Sequence, residues 1–295
     1  MKLLWNGQLT DSKTTVISAF DHGFLYGMGL FETFRTYSGK PWLLERHAAR
    51  LRHGCELLGI AYEPRISDLQ ERIAHLLEAN SLSDGYIRWS VSAGEGAIGL
   101  PSDTYEQPNE IIYAKALAPD HPDTRGGKAL RRLQVPRSTP ESAVRLKSFH
   151  YMNNIVAKRE LVVAGAGTGT EGLFLDGGGH VVEGMVSNVF WIANGVLHTP
   201  SEETGLLPGV TRGYVLELAE EIGLRAEQSA SYRWDDLTAA EEVFLTSSIQ
   251  EIVPVTRLED GYGDYVSPGG SPTVGPVTSR MMQLYRLRAE GASTQ

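Results

Sequence analysis

Two of the seven lysines in this chain fall in one short segment, RLKSFHYMNNIVAKREL, residues 145–161. A lysine amine is a nucleophile and a base when it is held in a partly apolar setting, and a solvated cation otherwise. Lys158 fits the second description. From Asn154 onward the segment reads as an amphipathic helix, with Ile155, Val156, Leu161 and Val162 apolar and Lys158, Arg159 and Glu160 outward. Lys147 lies ahead of that helix, between Leu146 and Phe149, at the end of a polar stretch that contains proline. Both descriptions fit it.

Three features further along suggest what such a lysine could serve. In LLPGVTRGYVLELAEEIG, Pro208-Gly209 precedes a helix with Val210, Thr211 and Arg212 in its first turn. Free N–H groups and the dipole at a helix start attract an anion, and a threonine hydroxyl adds a donor, although a plain helix cap is the commoner use of this pattern. Next, EEVFLTSSIQEIVPV ends a strand in Thr246-Ser247-Ser248, hydroxyls that complete a phosphate cup or merely form a solvated turn. Finally, HVVEGMVSNVFWI places Glu183 inside an apolar strand pair. A carboxylate buried there needs a partner. A protonated heteroaromatic nitrogen, as in pyridoxal phosphate, is one; an exposed edge-strand position is the alternative. With Lys147 for a Schiff base, these are the parts that a pyridoxal phosphate enzyme needs.

The elements that must position these residues come in two groups. LLWNGQL and VISAF read as short strands, and LFETFRTYSGKPWLL as a hairpin turning at Ser38–Pro41. Helices follow over 44–58 and 67–80, the second entered through Ser67 and Asp68 as cap candidates, then strands in YIRWSVSAG and EIIYAKALA. The Pro-, Asp- and Gly-rich stretch 118–128 is a linker candidate between a lobe of 1–117 and a larger one of 129–295. Beyond it the pattern gives strands in ALRRLQV, EGLFLD, HVVEG, NVFWIANGVLHTP and EEVFLTSS, helices near 153–163, 209–222 and 275–290, and a mobile loop in DGYGDYVSPGGSPT. Strands and helices do not alternate strictly, so the fold class is α+β in two lobes.

Composition narrows the function classes. With 295 residues, 41% hydrophobic and 21% charged, the chain has the make-up of a folded globular protein. A formal charge of −9 argues against nucleic acid or an anionic membrane as partner. No apolar run is long enough to span a bilayer, and MKLLWNGQLT has neither the apolar core nor the cleavage site of a signal peptide, which points to the cytoplasm. Cys55 is the only cysteine, which excludes an internal disulfide, and the eight histidines lack metal-ligand spacing, so no metal is expected.

Six blocks, in order, then carry a family resemblance: FDHGFLYGMGLFETFR, LLERHAARL, RLKSFHYMNNIVAKRE, EGLFLDGGGHVVEGMVSNVFWI, TGLLPGVTR and LTSSIQEIVPV. Together they resemble the fold-type IV, or class IV aminotransferase, family of pyridoxal phosphate enzymes over nearly the whole chain. That family includes branched-chain and D-amino acid aminotransferases and aminodeoxychorismate lyase. The resemblance implies a small α/β N-terminal lobe, a larger C-terminal lobe with barrel-like strands, and a homodimer with active sites near the subunit interface. It implies that Lys147 carries the cofactor covalently and that Glu183 faces the pyridine nitrogen. Arg50, which alone would pass for a solvated helix arginine, would hold the phosphate with Val210, Thr211 and Ser248, and Asn188 would lie beside the ring.

Within the family, the Arg-x-His pair of D-amino acid aminotransferases is missing from SAGEGAIGLP, and the Gly-Gly-Asn-Tyr of branched-chain enzymes is replaced by Ser148-Phe149-His150-Tyr151. The FDHGFLYG opening, the TPE…RLKS approach and the HY-x-NN sequence look most like the lyase branch, which releases p-aminobenzoate and pyruvate in folate synthesis. A transaminase for branched-chain or D-amino acids, and a non-catalytic cofactor-binding protein, are the alternatives. Arg145, two residues before Lys147, either meets a substrate carboxylate or brackets the strand at the surface. His150 and Tyr151 line the pocket or pack the helix start, and Arg88 reads as solvent-facing on its strand.

Overall fold

The computed structural model describes residues 1–291 apart from Ser102 and Pro119. Its contacts divide the chain into two compact units. One is Met1–Pro119 with Leu146–His150 and Ala289–Gln295; the other is Asp120–Arg145 with Tyr151–Arg288. Each contains its own sheet and helices, an α+β organisation.

In the first unit, β1 (Lys2–Trp5) and β2 (Gln8–Asp11) form a hairpin. Its two turn residues, Asn6 and Gly7, both have positive φ, as a type I′ turn requires. A short helix, α1 (His22–Tyr26), leads into β3 (Gly29–Tyr37) and β4 (Lys40–Pro41), joined by Ser38 and Gly39, again at positive φ. Helices α2 (Leu44–Leu57) and α3 (Ile66–Ala79) precede β5 (Tyr86–Ser92) and β6 (Asn109–Lys115). The strands make one antiparallel sheet in the order β2-β1-β6-β5-β3-β4. The helices cover one face of it: Leu51, Cys55, Leu69, Ile73 and Leu76 pack with Phe34, Ile87, Trp89 and Ile112 in a single core.

Three expectations fail here. LLWNGQL is not one strand: Asn6 and Gly7 turn the chain in its middle, between β1 and β2. VISAF is not a strand: Val16, Ile17 and Phe20 are exposed, and no neighbouring strand takes up its backbone. Helix α3 starts one residue early without a side-chain cap, because the Asp68 carboxylate pairs with Arg65 at 2.5 Å instead.

The second unit holds β7 (Lys128–Arg132), α4 (Met152–Val163), β8 (Thr170–Leu175), β9 (Val181–Gly184), β10 (Asn188–Ala193) and β11 (Val196–Pro200). There follow α5 (Val210–Glu221), β12 (Ala226–Ser229), α6 (Trp234–Thr238), β13 (Glu242–Ser247), β14 (Glu251–Glu259), β15 (Tyr265–Val266) and α7 (Pro276–Gly291). The sheet runs β12-β11-β10-β13-β14-β7-β8-β9, with β15 added on β14. Pairs β11–β12, β14–β7 and β7–β8 are parallel and the others antiparallel. Strand β9 also comes against β10 and β11, so the sheet curls back on itself. The loop expected over 260–273 is partly ordered as β15.

Helix α4 differs from the amphipathic helix expected. Ala157 and Leu161 are buried, but Met152, Ile155, Val156, Val162 and Val163 are exposed, so apolar residues lie on more than one face. Among the described residues no helix is long and apolar enough to cross a membrane, and no cluster of metal-ligating side chains occurs.

Candidate active site

In the first unit, the segment 146–150 lies along the start of β3. Phe31 donates its N–H to the Lys147 carbonyl at 2.9 Å, Phe149 donates to the Gly29 carbonyl at 3.0 Å, and Leu30 bridges Ser148. The edge of β3 is open for this because β4 pairs only with Thr36 and Tyr37. Gly29 permits the approach, since a Cβ there would collide with the Phe149 ring. Leu146 packs against the core. The backbone of Lys147 is therefore fixed, and its Nζ lies over the Phe31 ring, 4.7 Å from the centroid. Arg88 is not a plain solvent-facing residue: its guanidinium carbon sits 3.7 Å from the centroid of that same ring.

A second cluster lies on the helix side of the same strand. Glu32, 1% exposed, accepts from His47 Nδ1 at 2.7 Å and from Arg50 Nε at 2.8 Å and Nη2 at 2.6 Å. Burial pushes the Glu32 carboxyl up, but the Arg50 charge and the His47 hydrogen bond outweigh it and hold it at about 2. His47 is held below the usual imidazole range by burial, with Glu32 pulling the other way and the charges of Arg50 and Lys147 adding to the depression. Arg50 is thus a bidentate partner of a buried acid, not a solvated helix arginine.

The FDHGFLYG block serves as a latch in this unit. The buried Asp21 carboxylate accepts from Gly23 N, Ser92 Oγ and Asn109 Nδ2 at 2.7–2.8 Å. The buried His22 ring bonds the Tyr105 hydroxyl at 2.8 Å and the Ala97 carbonyl at 3.0 Å. His150 is exposed, with Nε2 3.1 Å from the Tyr26 carbonyl.

In the second unit, Glu183 on β9 is 4% exposed. Its Oε1 accepts from Arg137 Nε at 2.8 Å and lies 3.7 Å from Arg145 Nε, and its Oε2 accepts from Leu207 N at 2.9 Å. Arg137 also donates to Asn153 Oδ1 at 2.8 Å and to Asn154 Oδ1 at 3.3 Å, so the two asparagines after Tyr151 orient the arginine that orients Glu183. Arg145 is buried and donates to the carbonyls of Gly205 and Ser138, so neither the surface arginine nor a free carboxylate receptor describes it within this unit. Tyr151 stands at the N-cap of α4.

The predicted anion site is also brought together. Helix α5 starts at Val210 behind Gly209, with no side chain capping it. Thr211 Oγ1 and Ser248 Oγ lie 3.2 Å apart. Asn188 donates to the Leu207 carbonyl at 3.0 Å, and its Oδ1 lies so close to Gly209 that a Cβ there would collide. Thr246, in register with Asn188, has a buried hydroxyl with no hydrogen-bond partner. An uncapped helix start, two adjoining hydroxyls and an orphaned third suit a phosphate group. A buried carboxylate in the same unit suits a cationic ring nitrogen.

Sequence reasoning missed Glu32, His47 and Arg137. A signal existed for the first two. Glu32 is a lone acid in an apolar strand, and His47 and Arg50 stand one helical turn apart on the helix that follows.

Known proteins resemble this chain over nearly its whole length. A family model described as amino-transferase class IV matches residues 29–258. The chain is 40% identical to the aminodeoxychorismate lyase of Bacillus subtilis, over 95% of this chain and 92% of that one. It is 32% identical to a putative branched-chain-amino-acid aminotransferase of Methanocaldococcus jannaschii, over 97% and 96%. Among solved structures, 4-amino-4-deoxychorismate lyase from Pseudomonas aeruginosa superposes with a TM-score of 0.80 at 30% identity, covering 97% and 98%. The T.th. branched-chain amino acid aminotransferase complexed with N-(5'-phosphopyridoxyl)-L-glutamate gives 0.84 at 27%, covering 98% and 94%.

Proposed function

The chain belongs to the class IV aminotransferase family, and from that premise we propose that it is a pyridoxal phosphate-dependent lyase that converts 4-amino-4-deoxychorismate to p-aminobenzoate and pyruvate. The observation that carries the choice of reaction is the 40% identity to the Bacillus subtilis lyase across almost all of both chains. The identity to the Methanocaldococcus aminotransferase over a similar span is 32%.

When bound, pyridoxal phosphate supplies a sink for the electron pair left when a proton leaves the amine-bearing carbon. The rest is done by this chain. Val210 N, Thr211 and Ser248 would hold the phosphate; Arg50, whose guanidinium Glu32 and His47 fix, is the further cation proposed for it. Glu183, oriented by Arg137 and the Leu207 N–H, would accept from the pyridine nitrogen. Asn188, which donates to the Leu207 carbonyl and lies against Gly209, would stand beside the ring. Lys147 Nζ would hold the cofactor covalently and, as a free amine, would be the base that takes the proton from the amine-bearing carbon of the substrate. The Phe31 ring under that nitrogen suits both of its charge states, as a π face for the ammonium and an apolar wall for the amine. Proton loss and departure of the enolpyruvyl oxygen leave an aromatic ring. The enolpyruvate takes up a proton to become pyruvate, so two products account for every substrate atom and no keto acid enters.

Transamination of branched-chain or D-amino acids is the second reading, supported by the TM-score of 0.84 to a branched-chain enzyme. One assay separates the two: aminodeoxychorismate supplied without a keto acid should give p-aminobenzoate and pyruvate in equal amounts. Fast turnover that requires a keto acid would overturn the lyase reading.

We place the enzyme in the cytoplasm as a homodimer. The buried free thiol of Cys55 suits a reducing compartment. The exposed apolar residues of α4, with Ile155 at 55% and Val163 at 89%, suit a subunit contact. A single-chain sedimentation coefficient at micromolar concentration would count against the dimer.

A further inference from the structure

The turn that carries Ser248 is held in an unfavourable backbone conformation by a buried clamp. Strands β13 and β14 are joined by residues 248–250, and Ser247 pairs with Glu251 across the base of the hairpin. Three-residue hairpin loops of this kind close through a left-handed residue, and glycine is the ordinary choice because it has no Cβ. Here the left-handed residue is Glu251, at φ 61° and fully buried. A strained non-glycine residue persists only where its surroundings over-determine it.

Those surroundings are two arginines of the same unit. Arg286 donates to Glu251 Oε1 through Nε at 3.0 Å and Nη2 at 2.7 Å. Arg125 Nη2 donates to Oε2 at 3.0 Å, and its Nη1 donates to the carbonyl of Ile252, the next residue, at 2.6 Å. Asp120 ties the two together, its carboxylate to Arg125 and its carbonyl to Arg286. The preceding residue is also fixed: Lys128 donates to Gln250 Oε1 at 2.8 Å and to the buried Glu171 at 3.2 Å. The outcome of this bracing is the position of Ser248, whose hydroxyl meets Thr211 Oγ1 at the uncapped start of α5.

We infer that Glu251 is a positioning residue for the phosphate monoester of the cofactor, acting through the 248–250 turn that the Arg125–Glu251–Arg286 clamp holds against α5. The inference rests on the reading of Thr211 and Ser248 as phosphate ligands and adds residues that never touch the cofactor.

The test measures binding to the apoprotein by absorbance, with pyridoxal 5'-phosphate and with pyridoxal, which lacks the phosphate. Glu251→Gln keeps the size of the side chain and removes its charge. It should weaken pyridoxal phosphate about tenfold, the order expected for a misplaced charge-assisted hydrogen bond, and leave pyridoxal unchanged. Ser248→Ala should do the same, and the double variant should lose no more than either single change, because both act at one contact. If Glu251→Gln does not fold, Arg286→Gln is read in the same way. An unchanged ratio of the two affinities, or additive losses in the double variant, overturns the clamp. A wild-type protein that binds pyridoxal as tightly as its phosphate overturns the phosphate cup itself, which is a separate failure.

Discussion

The ammonium nitrogen of Lys147 lies over the ring of Phe31, 4.7 Å from its centroid. Arg88 occupies the same ring at 3.7 Å. One aromatic side chain therefore organises two cations on the sheet face opposite to the helices, while the neighbouring Glu32 points to the helix side and holds Arg50.

Phe31→Leu keeps apolar volume at that position and removes the π face. Each cation–π contact contributes about 0.5–1 kcal/mol when partly exposed, so urea unfolding should show a loss of about 1–2 kcal/mol. A change indistinguishable from zero would mean that the ring contributes only packing.

Acid should destabilise the first unit in two stages. The folded His47 imidazole is depressed, so the unfolded chain binds that proton more readily and stability falls as pH drops through the ordinary value of 6.5. Glu32 is also depressed, from 4.5 to about 2. Its pairing stabilises above the ordinary carboxylate range and is lost as pH falls toward that lower value, about 3 kcal/mol in all. Urea midpoints measured from pH 8 to pH 3 should fall along both branches, and Glu32→Gln should flatten the lower one. A wild-type profile that stays level below pH 5 contradicts this.

Arg137→Met should be costly. It leaves the buried Glu183 without its nearest cation and Asn153 Oδ1 with only the Ser138 N–H, and breaking such a buried pair costs about 3–5 kcal/mol. The loss should appear in thermal unfolding of the cofactor-free protein. A loss below about 1 kcal/mol would show that Arg145 and the Leu207 N–H suffice.

The thiol of Cys55 is pushed up to about 12 by burial, with the charge of Glu56 adding to it. Thiolate is the reactive form, so a thiol reagent at pH 8 should leave the native protein unlabelled and modify it at the rate of unfolding. Complete labelling within minutes under native conditions would contradict the burial.

Much of the fold was legible because local patterns coincide with the elements they predict. Leu69, Ile73 and Leu76 follow helical spacing and reach the core, and the alternation of Tyr86–Ser92 and the turn at Ser38-Gly39 sit where the strands require them. The Asn6-Gly7 turn was overlooked because apolar residues on both sides of it read as one strand. VISAF misled because alternation alone does not supply a partner strand. Helix α4 misled because its apolar residues lie on more than one face and only Ala157 and Leu161 are buried. Glu183 could be singled out as an acid among apolar neighbours, and Thr211 and Ser248 from a helix start and a run of hydroxyls; Lys147 fitted two descriptions until the family resemblance chose between them. Arg137, Arg286 and Arg125 could not, since a long cation reads as solvated until the carboxylate it meets, 46, 35 or 126 residues away, is located.

The central claim is that Lys147, and not its neighbour Lys158, carries the cofactor. The most direct measurement is borohydride reduction of the protein loaded with pyridoxal phosphate, followed by peptide mapping by mass spectrometry. The expected result is one phosphopyridoxyl adduct, on the peptide that contains Lys147, and its disappearance with the visible absorption band in a folded Lys147→Ala protein. An adduct on Lys158, or full turnover by Lys147→Ala, would contradict the assignment.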